Sequence, residues 1–399
     1  MMAAIRAGEL HADVTLVEKN PILGEKLLLS GKGRCNLTNA CDLDSFLKRF
    51  SKNGQFLRDA FHKFFNQDLI SFFQQRGLKL KTERQLRVFP ETDRSNSVLE
   101  VLKRELNKNK VKVICKAVMK EIFMQDNKIK GVLLQGGRVI PADRLILATG
   151  GVSFSFTGTT GDGLNIAEKL GHRIVGLKAG LVHLETRQHY PKLLEGLTLK
   201  NIRLRFSDTR RQIDSDIGEL LFTSSGISGP LVLSLSGKIV DWLKESNVVY
   251  VEIDLKPALT REQLRARLLR EFKVNPKKSI KNTLKALLPA RLVDVFVDIA
   301  KILPEKKASQ VTQEERERLI SLFKGMRLDI TKPRPIDEAM ITRGGVSLKD
   351  INPRTMGSRL IKGLYFAGEI IDIDADTGGF NLQAAFSTGY LAGENAGLN

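Results

Sequence analysis

The sequence predicts an α/β protein whose main sheet is built from both ends of the chain and is interrupted by a large insert. Apolar runs at 14–17, 144–149 and 364–367 stop abruptly at charged or glycine residues, as buried parallel strands do. Amphipathic helical segments lie beside these runs. From 181 to about 345 the pattern changes. We therefore expect a first part of this α/β domain at 1–180, an insert at 181–345 and the last part at 346–399.

The first part alternates helices and strands. Helices are predicted at 3–9, 43–51, 55–64, 67–76 and 93–107, and strands at 13–17, 111–114, 118–124, 129–135 and 144–149. Gly136-Gly137 favours a hairpin into Val139 and Ile140. No strand precedes the first helix, although the first strand of a doubly wound sheet is central. We therefore expect a strand and a turn, of the order of fifteen residues, upstream of Met1.

The insert has two parts with different sequence patterns. Short alternating strands and turns from about 178 to 255 predict a β-rich part, and residues 260–325 are predicted to be helical. Between Arg261 and Lys324 there are 16 Lys and Arg residues against 8 Asp and Glu residues. After Pro333 and Pro335, a strand at 364–367, a glycine-rich turn and a helix at about 382–396 end the sequence.

Composition narrows the class of protein. Of the 399 residues 42% are hydrophobic, which is enough for large cores and excludes a disordered chain. No run of eighteen apolar residues and no apolar signal core are present, so we expect a cytoplasmic protein without a membrane segment. Cys35, Cys41 and Cys115 are sparse and odd in number, which is typical of reduced thiols, and their spacing predicts no metal site.

The net charge of +19 is the first indication of a partner. A surplus of this size attracts polyanions, chiefly nucleic acid or anionic lipid. Simple solubility, or a lysine-rich composition inherited from the genome, explains the charge equally well at this point.

Two carboxylates follow predicted parallel strands. Glu18 ends the strand at 13–17, where a dinucleotide-binding fold holds both hydroxyls of a ribose, although many strands end in Glu without such a role. The glycine fingerprint that would precede Glu18 is absent from the sequence. Glu369 follows the strand at 364–367 and is suited to bind a sugar-alcohol hydroxyl. Asp372, Asp374 and Asp376 lack the bidentate Glu of a calcium loop, so we favour a glycine turn that starts a helix facing an electron-accepting ring.

The segment 24–39 is rich in residues that can take part in binding or catalysis. It carries glycines, cations, a thiol and amides directly after an apolar stretch. Such a loop can turn backbone N–H groups and Arg34 toward an anionic or electron-rich ring. An ordinary surface loop is the alternative.

Six strings together resemble the BaiN/RdsA-type family of FAD-dependent oxidoreductases. The resemblance covers nearly the whole chain and rests on GEKLLLSGKGRCNLTN, LILATGG, GTTGDGLNIAEKLGH, LLFTSSGISGPLVLSLS, ITRGGVSLKDINPRTM and GLYFAGEIIDIDADTGGFNLQAAFSTGYLAG. It implies an FAD-binding Rossmann-like domain interrupted by an insert with a β-barrel-like part and a helical part. The N-terminal glycine fingerprint of the family is the feature that this sequence lacks.

The resemblance also implies roles for particular residues. Glu18 would bind the adenosine ribose, Val118 would lie near the adenine, and Thr149 and Gly150 would line the dinucleotide path. Gly368 and Glu369 would contact the pyrophosphate and ribitol. The residues expected at the flavin are Gly379, Asn381 and Leu382 on one segment and Ser30, Gly31, Arg34, Cys35 and Asn36 on the other, and Lys19, Lys26 and Gly33 complete the expected cofactor-binding set.

The expected chemistry is hydride transfer from reduced flavin, with NAD(P)H as a transient reductant because only one dinucleotide-binding half is visible. Cys35 and Arg34 are the predicted catalytic residues, with Cys35 as a proton donor. A packed thiol is the alternative for Cys35. His183 and His189 are weaker candidates, since each could simply lie at the hinge of the insert.

Within the family, the charge favours ribosomal RNA as the substrate and uridine reduction to dihydrouridine as the reaction. The basic residues predicted to contact RNA are Lys200, Arg203, Arg205, Lys277, Lys278 and Lys281. Each cluster taken alone could be a solvated face. Two alternatives stay open, namely reduction or oxidation of a small molecule such as a bile-acid-type enone or an aminoketone, and RNA binding without catalysis.

Overall fold

The computed structural model describes residues 1–126, 128–246 and 248–398. The chain divides into two compact units, a first unit of Met1–Gly180 with Pro335–Asn399, and an insert unit of Leu181–Arg334. The second division thus falls earlier than the boundary at 345 expected from the sequence. The physical reason is that the strand Ile341–Val346 pairs with the strand Ile174–Gly180 of the first unit.

The helices and strands that the sequence predicted in the first unit are present with shifts at their ends. The sequence did not predict the helices Glu25–Leu29 and Asp162–Lys169 or the strands Thr38–Asn39, Leu80–Thr82 and Arg87–Pro90. The helices are α1 (Met2–Glu9), α2 (Glu25–Leu29), α3 (Leu43–Leu47), α4 (Arg58–Lys63), α5 (Asn66–Gln75), α6 (Ser95–Lys108), α7 (Asp162–Lys169), α8 (Tyr190–Leu193), α9 (Pro230–Trp242), α10 (Arg261–Val274), α11 (Ile280–Leu284), α12 (Ala290–Ile299), α13 (Gln313–Lys324) and α14 (Phe380–Gly397). Among the residues that the structure describes, no helix is long and apolar enough to cross a membrane.

The strands are short in the first unit and longer in the insert unit. They are β1 (Thr15–Val17), β2 (Thr38–Asn39), β3 (Leu80–Thr82), β4 (Arg87–Pro90), β5 (Lys112–Ile114), β6 (Met119–Gln125), β7 (Lys128–Leu134), β8 (Val139–Pro141), β9 (Leu145–Leu147), β10 (Ile174–Gly180), β11 (Leu184–Thr186), β12 (Thr198–Ser207), β13 (Gln212–Asp214), β14 (Gly218–Thr223), β15 (Gly226–Ser228), β16 (Val249–Asp254), β17 (Met326–Pro333), β18 (Ile341–Val346) and β19 (Leu364–Phe366).

The parallel strands of the first unit come from distant parts of the chain. Strand β1 pairs in parallel with β5, and β9 pairs in parallel with β19, so that Leu147 lies opposite Phe366. The predicted hairpin through Gly136-Gly137 joins β7 to β8 in an antiparallel sheet with β6. The pairing of β9 with β19 confirms that both ends of the chain build one α/β domain.

Helix α14 packs closely on α1. A Cβ atom on Gly393 would lie 2.3 Å from the carbonyl oxygen of Ala3, so only glycine lets the two backbones approach this far. Ile5 of α1 is fully buried in a core cluster that also contains Phe73 and Phe386. The contact anchors the helix whose N-terminal end starts at the predicted flavin-facing turn.

The insert unit contains a closed antiparallel barrel. The strands run in the order β12, β14, β15, β11, β17, β16, and β16 pairs again with β12, which closes a ring of six strands with β13 at its side. Alternate residues of these strands, such as Phe206, Phe222 and Val251, are fully buried in the interior. The β-barrel-like part that the resemblance implies is therefore present, and α10 to α13 supply the helical part.

Candidate active site

The carboxyl ends of the parallel strands present the predicted polar groups. Strand β1 is followed by Glu18, β9 by Thr149 and Gly150, and β19 by Gly368 and Glu369. Thr149 is exposed two residues after the buried Leu147, because the chain leaves the sheet there. Ligands of open α/β sheets bind in the crevice outside these strand ends.

Glu18 lies at one side of this edge. Its Oε1 accepts a hydrogen bond from the N–H of Asn20 at 2.9 Å, and it interacts electrostatically with the buried amino group of Met1. The N-terminal end of α1 therefore lies beside the carboxylate. The N–H of Ala117 donates to the Glu18 carbonyl at 3.0 Å, which brings the next residue, Val118, to the same place.

Glu369 is the centre of a network of polar contacts. Lys26 Nζ lies 2.6 Å from its Oε2, and the N–H of Thr342 donates to its Oε1 at 2.7 Å. Ser153 Oγ accepts from Lys26 Nζ at 2.9 Å and donates to Glu369 Oε1 at 3.3 Å. The carboxylate is thus held in one orientation by a cation, a hydroxyl and a backbone amide, each from a different part of the sequence.

The hydroxyl of Thr342 completes this arrangement. It accepts from the N–H groups of Val152 at 2.8 Å and Ser153 at 3.1 Å. A Cβ on Gly151 would lie 2.2 Å from this hydroxyl, so the chain after β9 approaches β18 as closely as glycine permits. The loop that carries Thr149 and Gly150 is fixed to β18 in this way.

Lys19, which follows Glu18, is held by two side chains at the start of α7. Its Nζ donates to Thr160 Oγ1 at 2.5 Å and to Asp162 Oδ2 at 2.7 Å. At Asp162, desolvation raises the pKa of the carboxyl and the hydrogen bond from Lys19 lowers it, and the net result is a lowered pKa. Lys19 therefore ties the loop after β1 to the start of α7.

The turn before α14 is built as the sequence predicted, with glycine in the left-handed region. Gly379 has φ 98°, and a Cβ there would lie 2.4 Å from the backbone of Thr38. Asn381 closes the turn, since its side chain accepts from the N–H of Ala375 at 3.0 Å and donates to the Ala375 carbonyl at 2.9 Å. Leu382 is half-buried in the first turn of α14, where helix amides are free.

The segment 30–36 forms a tight turn beside β2 and β4. Gly31 has φ 58° and Gly33 has φ 82°, and Ser30 Oγ donates to the Leu27 carbonyl at 2.6 Å. Within the part of the chain that the structure describes, Asn36 Oδ1 is buried without a hydrogen-bond partner. An unpartnered buried acceptor of this kind favours a ligand that carries a donor.

The two predicted catalytic residues lie in different environments. Arg34 donates to Glu83 and, at 2.5 Å, to Asp93, and its guanidinium stacks on the Phe89 ring at 4.2 Å. Cys35 is fully buried among apolar side chains, and burial raises the pKa of its thiol to about 12. A thiol with this pKa is a weak acid, so the geometry favours the packed alternative, and its role as proton donor stays a prediction.

The basic residues of the insert also separate into two groups. Arg205 forms an ion pair with Asp214 at 2.8 Å, and Lys281 forms one with Asp294 at 2.6 Å. Arg203 lies opposite Asp254 in the barrel sheet. Lys200, Lys277 and Lys278 are exposed. His183 and His189 lie at the start of the insert unit.

These residues fit a flavin dinucleotide. A carboxylate beside a helix N-terminus suits the adenosine ribose and the neighbouring phosphates, and the fixed Glu369 suits the hydroxyls of a ribitol chain. The free amides at the start of α14 and the unpartnered Asn36 Oδ1 suit the polar edge of an isoalloxazine ring. Glu18, Lys26, Glu369 and the first turn of α14 would hold the cofactor.

Sequence reasoning missed several residues that hold Glu369 and Lys19 in place. Ser153, Thr342, Thr160 and Asp162 were not predicted, although each lies in or beside a string that carries the resemblance. Isolated serines and threonines have no local signature of function. Only the tertiary contacts reveal them, those of Ser153 and Thr342 with Glu369 and those of Thr160 and Asp162 with Lys19.

Comparison with known proteins agrees with this assignment of the fold. The chain is 31% identical over 400 residues to a 3-dehydro-bile acid delta(4,6)-reductase of Clostridium scindens, covering 99% of this chain and 96% of that protein. It is 29% identical over 392 residues to a ribosomal RNA dihydrouridine synthase of Haemophilus influenzae, covering 98% and 94%.

A solved structure shares the architecture at low identity. The 3-ketosteroid delta1-dehydrogenase of Sterolibacterium denitrificans superposes with a TM-score of 0.55 at 11% identity, over 99% of this chain and 97% of that one. The sequence model of one protein family, described as HI0933-like protein Rossmann domain, matches residues 1–395. The chain therefore belongs to the family of HI0933-like proteins with a Rossmann domain, the FAD-dependent oxidoreductases that its sequence resembles.

Proposed function

We propose that this protein reduces a uridine of 23S ribosomal RNA to dihydrouridine, with NAD(P)H as the reductant. The overall reaction adds a hydride to uracil C6 and a proton to C5, and it oxidises NAD(P)H to NAD(P)⁺. Bound FAD supplies the hydride chemistry that no side chain can provide. A protein that modifies ribosomal RNA works beside ribosomes, so the proposal includes a cytoplasmic location.

The chain's own residues would bind the FAD and hold it in a fixed orientation. Glu18 would accept hydrogen bonds from the ribose hydroxyls, and Glu369 would accept from the ribitol while Lys26 and the Thr342 N–H keep its orientation. Arg34, fixed by Glu83 and Asp93, would hold the loop 30–36 against the ring. The uridine must leave its stack to reach the ring, which costs a few kcal/mol and favours a nucleotide in a loop.

The distribution of charge is the observation that supports RNA over a small molecule. The β part of the insert, residues 181–260, contains ten basic and ten acidic residues and is neutral, whereas residues 261–324 carry a net charge of +8. Within residues 181–324 the whole surplus lies in the helical segment, whereas a surplus that serves only solubility needs no such concentration. It is expected where phosphates are bound, because each contact releases a counterion.

Mass mapping of ribosomal RNA from a strain that lacks the gene tests this function. We expect one dihydrouridine of 23S ribosomal RNA to disappear on deletion and to return when the intact gene is supplied on a plasmid. An empty plasmid is the control. Identical dihydrouridine content in the deletion and parent strains would exclude the proposal.

A second candidate is reduction of a conjugated double bond in a small ketone. The relative from Clostridium scindens favours it, because its name describes reduction of a dienone and its identity to this chain is 31%. Uracil C5=C6 is also conjugated to a carbonyl, so the two candidates share one type of hydride transfer. NAD(P)H oxidation that requires a steroid dienone, needs no RNA and depends weakly on salt would favour the small ketone.

A further inference from the structure

We propose that the insert unit contacts RNA through one compact edge, formed by Arg270, Lys273, Lys277, Lys278 and Lys307. This inference rests on the proposed function and names the surface that serves it. We call these five residues the lysine edge. It is narrower than the sequence prediction, which placed RNA contacts on both β12 and the helical part.

The backbone brings the edge together from two loops. The N–H of Ala308 donates to the Lys278 carbonyl at 2.9 Å, and the N–H of Ser309 donates to the Pro276 carbonyl at 3.1 Å. Ser279 and Lys307 form an antiparallel bridge. Lys277, Lys278 and Lys307 therefore lie on one hydrogen-bonded pair of loops.

The last turns of α10 extend this surface. Arg270 and Lys273 are three residues apart and so are neighbours on the helix surface. Both are exposed, while Leu264, Leu268 and Phe272 of the same helix are buried in the core of the insert unit. The chain then turns through Asn275 and Pro276 into Lys277.

Ion pairing distinguishes the edge from several other basic residues of the helical part. Arg265, Lys306 and Lys324 are bound to Glu317, Glu315 and Asp254 at 2.7, 2.7 and 2.5 Å. Among the described residues, the five side chains of the edge have neither an ion pair nor a side-chain hydrogen bond, and Glu305 is the one carboxylate on the joined loops. Their charges are thus available to an external anion.

Two exposed aliphatic side chains lie beside these lysines in the chain, one at the end of α10 and one on the second loop. Val274 is 71% exposed and Leu303 is 77% exposed, and the Pro304 carbonyl next to Leu303 accepts from the N–H of Lys281. Aliphatic groups beside cations can pack on unstacked bases whose phosphates the cations bind. Two such side chains give too little apolar area to hold a membrane surface, which favours RNA.

Salt-dependent binding of a full-length 23S ribosomal RNA transcript tests the edge in the intact protein. The variant Lys277→Gln/Lys278→Gln/Lys307→Gln is compared with Lys192→Gln/Lys238→Gln/Lys244→Gln, which removes the same charge from exposed lysines of α8, α9 and the residues after α9. We expect the first variant to bind at least about tenfold more weakly at 0.1 M salt. The slope of log K against log salt should fall by about two, given 0.7 to 0.9 per phosphate contact. The second variant should bind like the wild type.

Several results would overturn the edge. Equal loss in both variants would mean that only net charge matters, and no loss in the first variant would place the contact elsewhere. Loss of binding to phosphatidylglycerol vesicles with unchanged RNA binding would assign the edge to lipid. Thermal melts of both variants show that the fold is intact.

Different results would exclude the lysine edge and the proposed function. If the wild type restores dihydrouridine in the deletion strain and the first variant restores it equally while binding RNA normally, the edge is wrong and the function stands. If the first variant alone loses RNA binding but the wild type forms no dihydrouridine, the edge stands as an RNA contact and the proposed reaction is wrong.

Discussion

At the scale of single residues, we expect cofactor binding to depend on the orientation of Glu369. Its two oxygens are occupied by Lys26 Nζ at 2.6 Å and the Thr342 N–H at 2.7 Å. Side chains of Lys26 and Glu369 are 26% and 21% exposed, so their attraction is less screened than that of a surface pair. Without the lysine, the carboxylate of Glu369 would have no ion pair when the anionic cofactor binds.

Lys26→Met is therefore expected to weaken FAD binding to the apoprotein by at least about tenfold, which corresponds to about 1.4 kcal/mol. The double variant Lys26→Met/Glu369→Gln should recover part of this loss, because no unpaired charge is left. Quenching of FAD fluorescence on titration measures each affinity. Lys108→Met, an exposed lysine of α6, is the control. Unchanged affinity in Lys26→Met, or purely additive losses, would contradict this account.

Titratable residues show the limit of predicting chemistry from residue type. Cys35 was predicted as a proton donor because a thiol can serve as a general acid, yet its side chain is fully buried. His172 was not predicted, and it is buried with Nδ1 donating to the Ala167 carbonyl at 3.1 Å and Nε2 accepting from Ser358 Oγ at 2.7 Å. Burial lowers the pKa of His172 and keeps the imidazole neutral. Neither environment can be deduced from neighbours in the sequence.

At the scale of elements, the close packing of α14 on α1 connects the C-terminal helix to the rest of the first unit. The helix was predicted from its sequence pattern, but its partner was not. Gly389, Gly393 and Gly397 are four residues apart, and an added Cβ on each would meet Met2, Ala3 or Ala7 of α1. Glycines that weaken an isolated helix are thus used here for contact.

Gly393→Ala is expected to lower the free energy of unfolding by about 1–3 kcal/mol, because its Cβ would lie 2.3 Å from the Ala3 carbonyl oxygen and the helices must separate. Urea denaturation followed by circular dichroism measures the change. Gly176→Ala is the matched control, since its Cβ would meet no atom within 4 Å and the change should be close to neutral. A stability equal to that of the wild type in Gly393→Ala would show that the contact adapts at no cost.

At the scale of the whole molecule, the chain is two units with separate cores. The core cluster of the insert unit consists of residues between Leu184 and Ile330 alone. The chain enters and leaves this unit side by side, since Leu184 pairs with Pro333 and the N–H of Arg334 donates to the His183 carbonyl at 3.0 Å. A unit with its own core and adjacent ends can fold by itself.

We therefore expect the fragment Leu181–Arg334 to unfold in one cooperative transition. Its Trp242 is the single tryptophan of the chain and packs against the core, so its fluorescence and the far-ultraviolet circular dichroism should change together in urea. Phe222→Ala, at a fully buried barrel position, should lower the midpoint markedly. A fragment without a cooperative transition would show that the barrel depends on the first unit.

The sequence by itself determined the α/β class, the strand-ending Glu18 and Glu369, the glycine turn before α14 and the basic character of the helical part. These features depend on residue periodicity and turn chemistry over a few neighbouring residues, which a sequence displays directly. Only the tertiary structure decided that six strands close a barrel, that Lys26 and Thr342 hold Glu369, and which lysines have no ion pair. The physical reason is distance along the chain, because Lys26 and Glu369 are 343 residues apart and no local pattern records their contact.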